Sequence, residues 1–450
     1  MQALLQEFNP WWADPGARVA LRRIRREAVR RVLEGLRSST DRRATLVVGP
    51  RQVGKSELLR QVADDLLDEG VHPSNLVYFD FDDERLVTNP TTAREIADVR
   101  PPGFDEHLPK VLLLDEICES EGWAKWLKQA VDRSSHRIVA TDSAASLLRR
   151  GTLESGLGRW DELPMEGLSF AEFASIARED STTPLEELLR AFPTALDSFL
   201  HRGGFPEHVH SDSLSDVRRR LRQDIVSRAI AKDLAKEGVV VAQLEKLFVY
   251  LVQFSGSTVV KKHVSDDLQT DGRTVDKYLD LLIDARLLVP LEARVTDGPS
   301  GRGKAGRRLK GNRKIYAVDH GLVTAFAPVA SPLEDADYRG SIWETLVFKH
   351  VRDTAHRLGL GAPTYLRLEE KQEIDFVLEF GEGPIAIEVT SSAPKPRKQA
   401  GLLESATRIG AVRALLVHGG VALEARDGIV SIPLQDFLID PAAWIQGERP

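Results

Sequence analysis

One stretch constrains the fold of this chain more than any other: Gly49 to Ser56 reads Gly-Pro-Arg-Gln-Val-Gly-Lys-Ser. It follows the apolar run from Thr45 to Val48, and a helical pattern from Glu57 to Glu69 comes next. A G-x-x-x-x-G-K-S loop between a strand and a helix is the phosphate-binding loop pattern. The glycines let backbone N–H groups approach a polyphosphate, and the helix directs its positive end at the same anion. We therefore expect a nucleotide-binding α/β core.

The loop predicts ATP and Mg²⁺ as cofactors. The ammonium of Lys55 is expected to reach the β- and γ-phosphates, and the hydroxyl of Ser56 is expected to ligate Mg²⁺. The predicted nucleotide contacts are Gly49, Pro50, Arg51, Gln52, Val53, Gly54, Lys55, Ser56, Glu57 and, from a later strand, Ser143.

A second apolar run, Lys110 to Leu114, ends in the carboxylates Asp115 and Glu116. Asp115 fits the acid that holds Mg²⁺ at the end of a parallel strand, and Glu116 fits the base that polarises the attacking water. A third run, Arg137 to Ser143, also ends in polar residues, so Thr141 or Ser143 is a candidate sensor of the γ-phosphate. Polar residues end many strands, and the sensor prediction is therefore the least specific of the three.

Composition limits the class of protein. A chain of 450 residues with 42 % hydrophobic and 29 % charged residues has the composition of a soluble protein of two to four domains. The net charge of −7 does not by itself indicate nucleic acid, but residues 301–314 and Arg18 to Arg37 are rich in arginine. Such a run is either a solvated face or a contact to phosphate backbones.

Cys118 is the only cysteine, which excludes an intramolecular disulfide and a multi-cysteine metal site. We see neither a signal-peptide pattern nor an apolar run long enough to cross a bilayer, so the expected location is cytoplasmic, with no membrane partner.

The alternation of patterns predicts a multidomain α/β protein. We expect a P-loop parallel sheet with helices on both faces and with an added strand, followed by a helical lid, a winged helix-turn-helix and a further α/β domain. Arg273 and Lys277 are the exposed candidates for DNA contact on the second winged-helix helix. The predicted boundaries are 1–43 (basic helical region), 44–178 (ATPase core), 179–238 (lid), 239–295 (winged helix), 296–335 (basic loop and linker) and 336–450 (C-terminal domain).

Taken together, the motifs resemble those of bacterial and archaeal AAA-type ATPases with a C-terminal domain related to PD-(D/E)xK nucleases. The strings that carry the resemblance are VVGPRQVGKSELLRQ, VLLLDEICESEGWAKWLKQAVDR, ATDSAASLL, GLGRWDELPMEGLSFAEF, GGFPE and EIDFVLEF…IAIEVTSS. The resemblance implies ATP binding at Gly49 to Ser56 and hydrolysis by Asp115 and Glu116. It also implies a role for Arg159 as a nucleotide sensor or as a finger acting on a neighbouring subunit, unless Arg159 only pairs with Asp161 or Glu162.

Two departures from the family pattern affect these expectations. The sensor strand has Thr141-Asp142-Ser143 where the family has Thr-Gly-Ser. In the C-terminal domain, the resemblance implies a metal site at Glu344, Asp375 and Glu388, but Thr390 occupies the position of the nuclease lysine. Threonine cannot supply a cation, and Lys371 or Lys395 could do so from a loop.

Three functions stay open at this point. The first is an Mg²⁺-dependent ATPase, and the second is a nucleotide-switched protein that binds DNA, through the winged helix and residues 301–314, or a protein partner. The third is an ATP-regulated nuclease, for instance a defence effector. A dimer or ring is required only if Arg159 acts on a neighbouring subunit.

Overall fold

The computed structural model describes residues 2–19, 21–22, 24–38, 43–143, 158–180, 182–225, 229–231, 234, 238–294, 313–369 and 372–449. The chain forms two compact units. The first comprises Met1–Glu166, Glu179–Ser181 and Asp284–Arg286, and the second comprises Gly167–Arg178, Thr182–Ile283 and Leu287–Pro450. The main division therefore lies between residues 166 and 167, whereas the sequence analysis ended the ATPase core at residue 178.

The first unit is built on a five-stranded parallel sheet, as predicted. Its strands are β1 (Ala44–Gly49), β2 (Leu76–Asp80), β3 (Val111–Asp115), β4 (Arg137–Ser143) and β5 (Trp160–Pro164). The strand order is β2-β3-β4-β1-β5, and every pair is parallel. Because β4 separates β1 from β3, this is the added-strand arrangement that the sequence indicated.

Helices surround this sheet: α1 (Gln2–Phe8), α2 (Glu27–Arg37), α3 (Lys55–Asp68), α4 (Thr92–Asp98) and α5 (Trp123–Arg133). Helix α3 buries an apolar face that includes Leu58, Leu59 and Val62. The strands β1 to β3 are almost continuously apolar because a parallel sheet is covered on both faces.

The N-terminal segment covers strand β2, which is the edge of the sheet. The side chain of Asn9 donates to the carbonyl of Tyr78 (2.9 Å) and accepts from its N–H (2.7 Å). The indole nitrogens of Trp11 and Trp12 both donate to the carbonyl of Leu76, at 3.2 and 2.9 Å. These hydrogen bonds occupy backbone groups that an edge strand otherwise leaves unpaired.

The second unit begins with helices. They are α6 (Phe170–Arg178), α7 (Leu185–Ala191), α8 (Ala195–Arg202) and α9 (Leu214–Asp224). Helix α6 has a capping box, because Ser169 and Glu172 exchange backbone-to-side-chain hydrogen bonds of 2.9 and 3.2 Å.

The next elements are α10 (Val241–Gln253), β6 (Ser257–Thr258), α11 (Lys261–Leu268), α12 (Gly272–Asp284), β7 (Leu288–Glu292) and β8 (Arg313–Ala317). Their antiparallel sheet has the order β6-β8-β7. Helix α12 buries Val275, Tyr278, Leu279 and Leu282, while Arg273 and Lys277 are exposed. Of the basic run 301–314, residues 301–312 lie outside the described residues, and Arg313 and Lys314 begin β8.

The remaining helices are α13 (His320–Phe326), α14 (Ala336–Arg357), α15 (Pro396–Arg408), α16 (Leu434–Ile439) and α17 (Pro441–Gln446). The strands are β9 (Thr364–Glu369), β10 (Gln372–Phe380), β11 (Gly383–Thr390), β12 (Arg413–His418), β13 (Glu424–Arg426) and β14 (Ile429–Pro433). They form a mixed sheet in the order β13-β14-β12-β11-β10-β9.

A buried ion pair organises the helical part of this unit. The ammonium of Lys349 lies 2.8 Å from the Oδ2 atom of Asp319, and both side chains are almost fully buried. Three glycines pack against the pair, since a Cβ atom on Gly167, Gly203 or Gly204 would lie 2.6 to 2.7 Å from a carboxylate oxygen of Asp319. This contact excludes a side chain at Gly167, in the string GLGRWDELPMEGLSFAEF, and at both glycines of the string GGFPE.

Candidate active site

The loop between β1 and α3 has the backbone that its glycines predict. Gly54 has a φ of 98° and Gln52 a φ of 65°, so the loop turns through left-handed conformations that glycine adopts freely. At Gly49, a Cβ atom would lie 1.9 Å from the carbonyl oxygen of Met165. A side chain is therefore excluded at Gly49, and the loop conformation depends on both glycines.

Lys55 is buried at the start of α3 and connects the loop to the end of β3. Its ammonium donates to the carbonyls of Gly49 and Pro50, both at 3.1 Å. It lies 3.5 Å from the Oε1 atom of Glu116. The lysine thus contacts the loop backbone and one of the two predicted carboxylates at once.

Asp115 is held by hydroxyl groups at the buried end of β3. Its Oδ1 atom accepts from Thr141 (2.5 Å) and its Oδ2 atom accepts from Tyr78 (3.2 Å). Burial raises the pKa of the Asp115 carboxyl, and hydrogen bonds with Ser56 and Thr141 oppose that rise. A carboxylate beside the hydroxyl of Ser56 supplies hard oxygen atoms, which suit Mg²⁺.

Glu116 has an unusual backbone for a glutamate. Its φ of 47° is left-handed, and its N–H donates to the hydroxyl of Thr141 at 2.9 Å. This conformation is uncommon for a residue with a side chain, and such strain concentrates at functional sites. The turn places the carboxylate beside Lys55 and beside the thiol of Cys118, whose sulfur is 3.9 Å from Oε2.

The third predicted strand contributes Thr141 to the two predicted acids. The hydroxyl of Thr141 donates to the Asp115 carboxylate and accepts from the N–H of Glu116, so it joins Asp115 to the backbone of Glu116. Asp142 is fully buried, and its carboxylate lies within 4.8 Å of the Glu116 carboxylate and of the Cys118 sulfur. The backbone of Ser143 pairs with Gly49, but its side chain lies outside the described residues.

Sequence reasoning missed Tyr78 and Arg26. Arg26 donates to the carbonyl of Val53 (2.8 Å) and to that of Glu166 (3.0 Å), so it supports the loop from outside the motif. The density of arginine between residues 18 and 37 was the available signal, but it does not single out one residue. Glu57, predicted to contact nucleotide, accepts from the N–H of Arg22 at 2.7 Å and thereby anchors the N-terminal segment.

Two other predicted residues form ion pairs outside this group of contacts, and the carbonyl of Arg159 accepts from the N–H of Ala44, at the end of β1 opposite the loop. Arg51 forms a long contact with Asp82 (3.9 Å). Arg159 pairs with Asp132, with a distance of 3.3 Å between Nε and Oδ1. The sequence analysis offered Asp161 and Glu162 as alternative partners of Arg159. Asp161 pairs with Arg43, and Glu162 pairs with Arg286.

The second unit brings the C-terminal acids together around a lysine. Glu344 of α14 and Asp375 of β10 lie 3.1 and 3.7 Å from the ammonium of Lys314, and Glu373 contacts the same ammonium. The sequence analysis noted that Thr390 cannot supply a cation and named Lys371 and Lys395 as possible sources, but it did not consider Lys314. Lys314 comes from β8, so no spacing rule within the nuclease-like pattern could have identified it.

The acids of this cluster also have hydrogen-bond and ion-pair partners other than Lys314. The hydroxyl of Tyr316 donates to Glu344 Oε1 (2.6 Å), and the N–H of Val389 donates to Asp375 Oδ2 (2.8 Å). Lys398 lies 3.1 Å from Glu388 Oε1.

Burial, reinforced by the neighbouring Asp375, raises the pKa of Glu344 to about 7 and that of Glu388 to about 8. Burial alone would lower the pKa of Lys314, but Glu344, Asp375 and Glu373 outweigh it and hold that pKa well above its usual value.

Two other lysines and one threonine were named from the sequence for this site. Lys371 is outside the described residues, and Lys395 precedes the first turn of α15. Thr390 ends β11, where its hydroxyl lies 3.2 Å from that of Ser392.

Comparison with known families divides the chain into three segments. Residues 41–174 match the family model of an AAA domain. Residues 193–333 and 339–437 match two domains of unknown function, DUF8612 and DUF4143. The first match agrees with the phosphate-binding loop and the parallel sheet of the first unit, and this part of the chain is similar to an AAA domain.

A relative in Haemophilus influenzae is similar over most of the chain. It is an uncharacterized protein, 28% identical over 360 residues, which are 78% of this chain and 83% of the relative. The similarity spans most of both proteins, and the relative's name assigns no activity.

The solved structures similar to this chain resemble it only weakly. The ORC1 protein of Aeropyrum pernix in complex with DNA aligns with 70% of this chain and 95% of its own, at 15% identity and a TM-score of 0.30. AMPPCP-bound DnaA of Aquifex aeolicus aligns with 58% and 89%, at 14% identity and a TM-score of 0.30. TM-scores this low do not establish a common fold.

Among the described residues, no helix is both long and apolar enough to cross a membrane.

Proposed function

We propose that the first unit binds ATP with Mg²⁺ and hydrolyses the bond to the γ-phosphate. The observation that carries this proposal is that side chains from the loop, from β4 and from the end of β3 contact one another. Lys55 of the loop lies 3.5 Å from Glu116, and Thr141 of β4 joins Asp115 to the backbone of Glu116. The match of residues 41–174 to an AAA domain supports it independently.

Each residue has a role that follows from its position. The backbone N–H groups from Gly49 to Ser56 and the ammonium of Lys55 bind the phosphates. Lys55 now contacts two loop carbonyls, and it exchanges them for phosphate oxygens when nucleotide binds. The carboxylate of Glu116 orients the attacking water and accepts its proton.

The residues present fit Mg²⁺. Ser56 and Asp115 would hold it, because a buried carboxylate hydrogen-bonded to a hydroxyl offers two hard oxygen ligands beside the phosphates. The chemistry that bound Mg²⁺ supplies is neutralisation of negative charge on the phosphate oxygens. Thr141 and Tyr78 keep Asp115 in a fixed orientation.

Phosphate release and ATP binding, measured on the same variants, test this proposal. Glu116→Gln should retain ATP and slow phosphate release about 10²- to 10⁴-fold, since the base is lost and the binding groups remain. Lys55→Ala should weaken ATP binding itself. Glu121→Gln and Lys125→Ala, at exposed positions of the same unit, are the matched controls. Unchanged turnover in Glu116→Gln would refute the proposed base.

A second function is favoured by the exposed surface of α12. Arg273 and Lys277 face solvent, in a helix–strand–helix–helix–strand order typical of a winged helix-turn-helix. We propose that nucleotide state controls binding of DNA through this surface. Binding of duplex DNA should fall steeply with salt and weaken in Arg273→Ala. Binding that does not respond to salt would favour a protein partner instead.

A further inference from the structure

The acid cluster of the second unit contains its own cation. We infer that Lys314 is the resident cation of the cluster formed by Glu344, Glu373, Asp375 and Glu388, and that this cluster does not bind a divalent metal ion. The inference does not depend on the ATPase proposed for the first unit.

The position of the Lys314 ammonium carries the inference. It lies within 3.1 Å of Glu344 and 3.7 Å of Asp375, and it also contacts Glu373. The lysine side chain is only 5% exposed. Mg²⁺ requires oxygen ligands at about 2.1 Å in an octahedral arrangement. A metal ion shared by Glu344 and Asp375 would therefore have to displace a buried ammonium from the same carboxylates.

Other donors of the protein also reach the acids of the cluster. The Oδ2 atom of Asp375 accepts from the N–H of Val389, and Oε1 of Glu344 accepts from Tyr316. Glu388 Oε1 pairs with Lys398, and Glu373 Oε2 lies 3.2 Å from Arg367. The one buried oxygen of these acids without a hydrogen-bond donor, among the described residues, is Oε2 of Glu388. Each of the four acids is thus held through at least one oxygen by a donor of the protein itself.

The lysine joins two separate parts of the second unit. Lys314 and Tyr316 belong to β8, in the sheet with β6 and β7, whereas Glu344, Asp375 and Glu388 belong to α14, β10 and β11. The segments matched as two different domains, 193–333 and 339–437, therefore meet at this cluster. The ion pairs act as a clamp between them, which gives the acids a role that needs no metal.

Titration of nucleotide-free, full-length protein with Mn²⁺, followed by electron paramagnetic resonance, tests the inference. Mn²⁺ replaces Mg²⁺ at carboxylate sites and reports free and bound ion directly. Bound Mn²⁺ should be the same in the wild type and in Asp375→Asn, which keeps an oxygen acceptor for Val389. Bound Mn²⁺ that is lost in Asp375→Asn and kept in Asp115→Asn would overturn the inference.

A second variant tests the exchange of lysine for metal. Lys314→Gln removes the ammonium and leaves the acids, so it should gain about one bound Mn²⁺ per chain, and adding Asp375→Asn should remove that gain. Folded Lys314→Gln that binds no more Mn²⁺ than the wild type would show that Lys314 does not occupy a cation position. The comparison of the wild type with Asp375→Asn shows whether the wild-type cluster binds a divalent metal ion, even if Lys314→Gln does not fold.

Discussion

The two units each place a buried lysine beside carboxylates, but the lysines have different partners. In the first unit, the ammonium of Lys55 is held by two backbone carbonyls at 3.1 Å, and the Glu116 carboxylate lies farther away, at 3.5 Å. In the second unit, the ammonium of Lys314 contacts three carboxylates. Lys55 can exchange neutral carbonyls for phosphate, whereas Lys314 is already neutralised by acids. In our proposal, the same residue types therefore give a phosphate-binding site in the first unit and an internal ion-pair cluster in the second.

The largest expected difference between the two lysines is in stability. Lys314→Met should lower the free energy of unfolding by about 3–5 kcal/mol, because it leaves buried carboxylates without their counter-ion. Lys55→Met should lower it by about 1 kcal/mol, since it removes hydrogen bonds to carbonyls. Calorimetric unfolding of both variants measures the contrast.

A double variant checks the cause of that loss. Adding Glu373→Gln to Lys314→Met removes one of the uncompensated charges and should restore part of the lost stability. Equal losses in the two lysine variants, or no recovery in the double variant, would contradict the contrast between the clusters.

Thr141 provides a test within the first unit. Thr141→Val keeps the side-chain shape but removes the hydroxyl that binds Asp115 and the N–H of Glu116. We expect ATP binding to persist and turnover to fall by about 10- to 100-fold, as the cost of about 1–3 kcal/mol for an unsatisfied buried group implies. Thr141→Ser, measured in the same phosphate-release assay, should retain most of the activity. Full activity in the valine variant would mean that the hydroxyl does not position the carboxylates.

A smaller expected effect is a pH dependence of the unfolding free energy that arises from His350 in helix α14. His350 of this helix accepts the N–H of Phe170 on Nε2 (3.2 Å) and contacts the Leu346 carbonyl through Nδ1 (2.9 Å). Burial and the neighbouring Lys349 and His320 lower the pKa of His350 to about 3. The Leu346 carbonyl and Asp319 act in the opposite direction but do not outweigh them. A lowered histidine pKa means that the unfolded chain binds the extra proton, so this contribution to stability is lost as pH falls below about 6.5.

The matched experiment compares the wild type with His350→Gln. Between pH 7.5 and 5.5 the wild type should lose about 1.4 kcal/mol relative to the variant. The raised pKa of Glu344 acts in the opposite direction in both proteins, so the difference between them isolates His350. His107→Gln, at an exposed position, is the control. Parallel pH profiles of the wild type and His350→Gln would show that His350 does not remain neutral in the fold.

Most residues of the proposed phosphate-binding site could be named from the sequence because they are local in sequence. The glycines, Lys55 and Ser56 lie within one loop, and an apolar run ending in Asp115 and Glu116 predicts a strand end by itself. Tyr78 and Arg26 could not be predicted, because only the folded chain brings them to this site. The acid cluster shows the same limit, since its lysine comes from a strand 30 residues before Glu344, outside the pattern that marks the acids.

The most direct test of this account measures the Mg²⁺ dependence of phosphate release in the wild type, Asp115→Asn and Asp375→Asn. The account predicts that Asp115→Asn loses Mg²⁺-dependent turnover, whereas Asp375→Asn shows the same turnover and the same Mg²⁺ dependence as the wild type. Turnover that survives in Asp115→Asn, or a changed Mg²⁺ dependence in folded Asp375→Asn, would contradict the assignment of metal-dependent chemistry to the first unit alone.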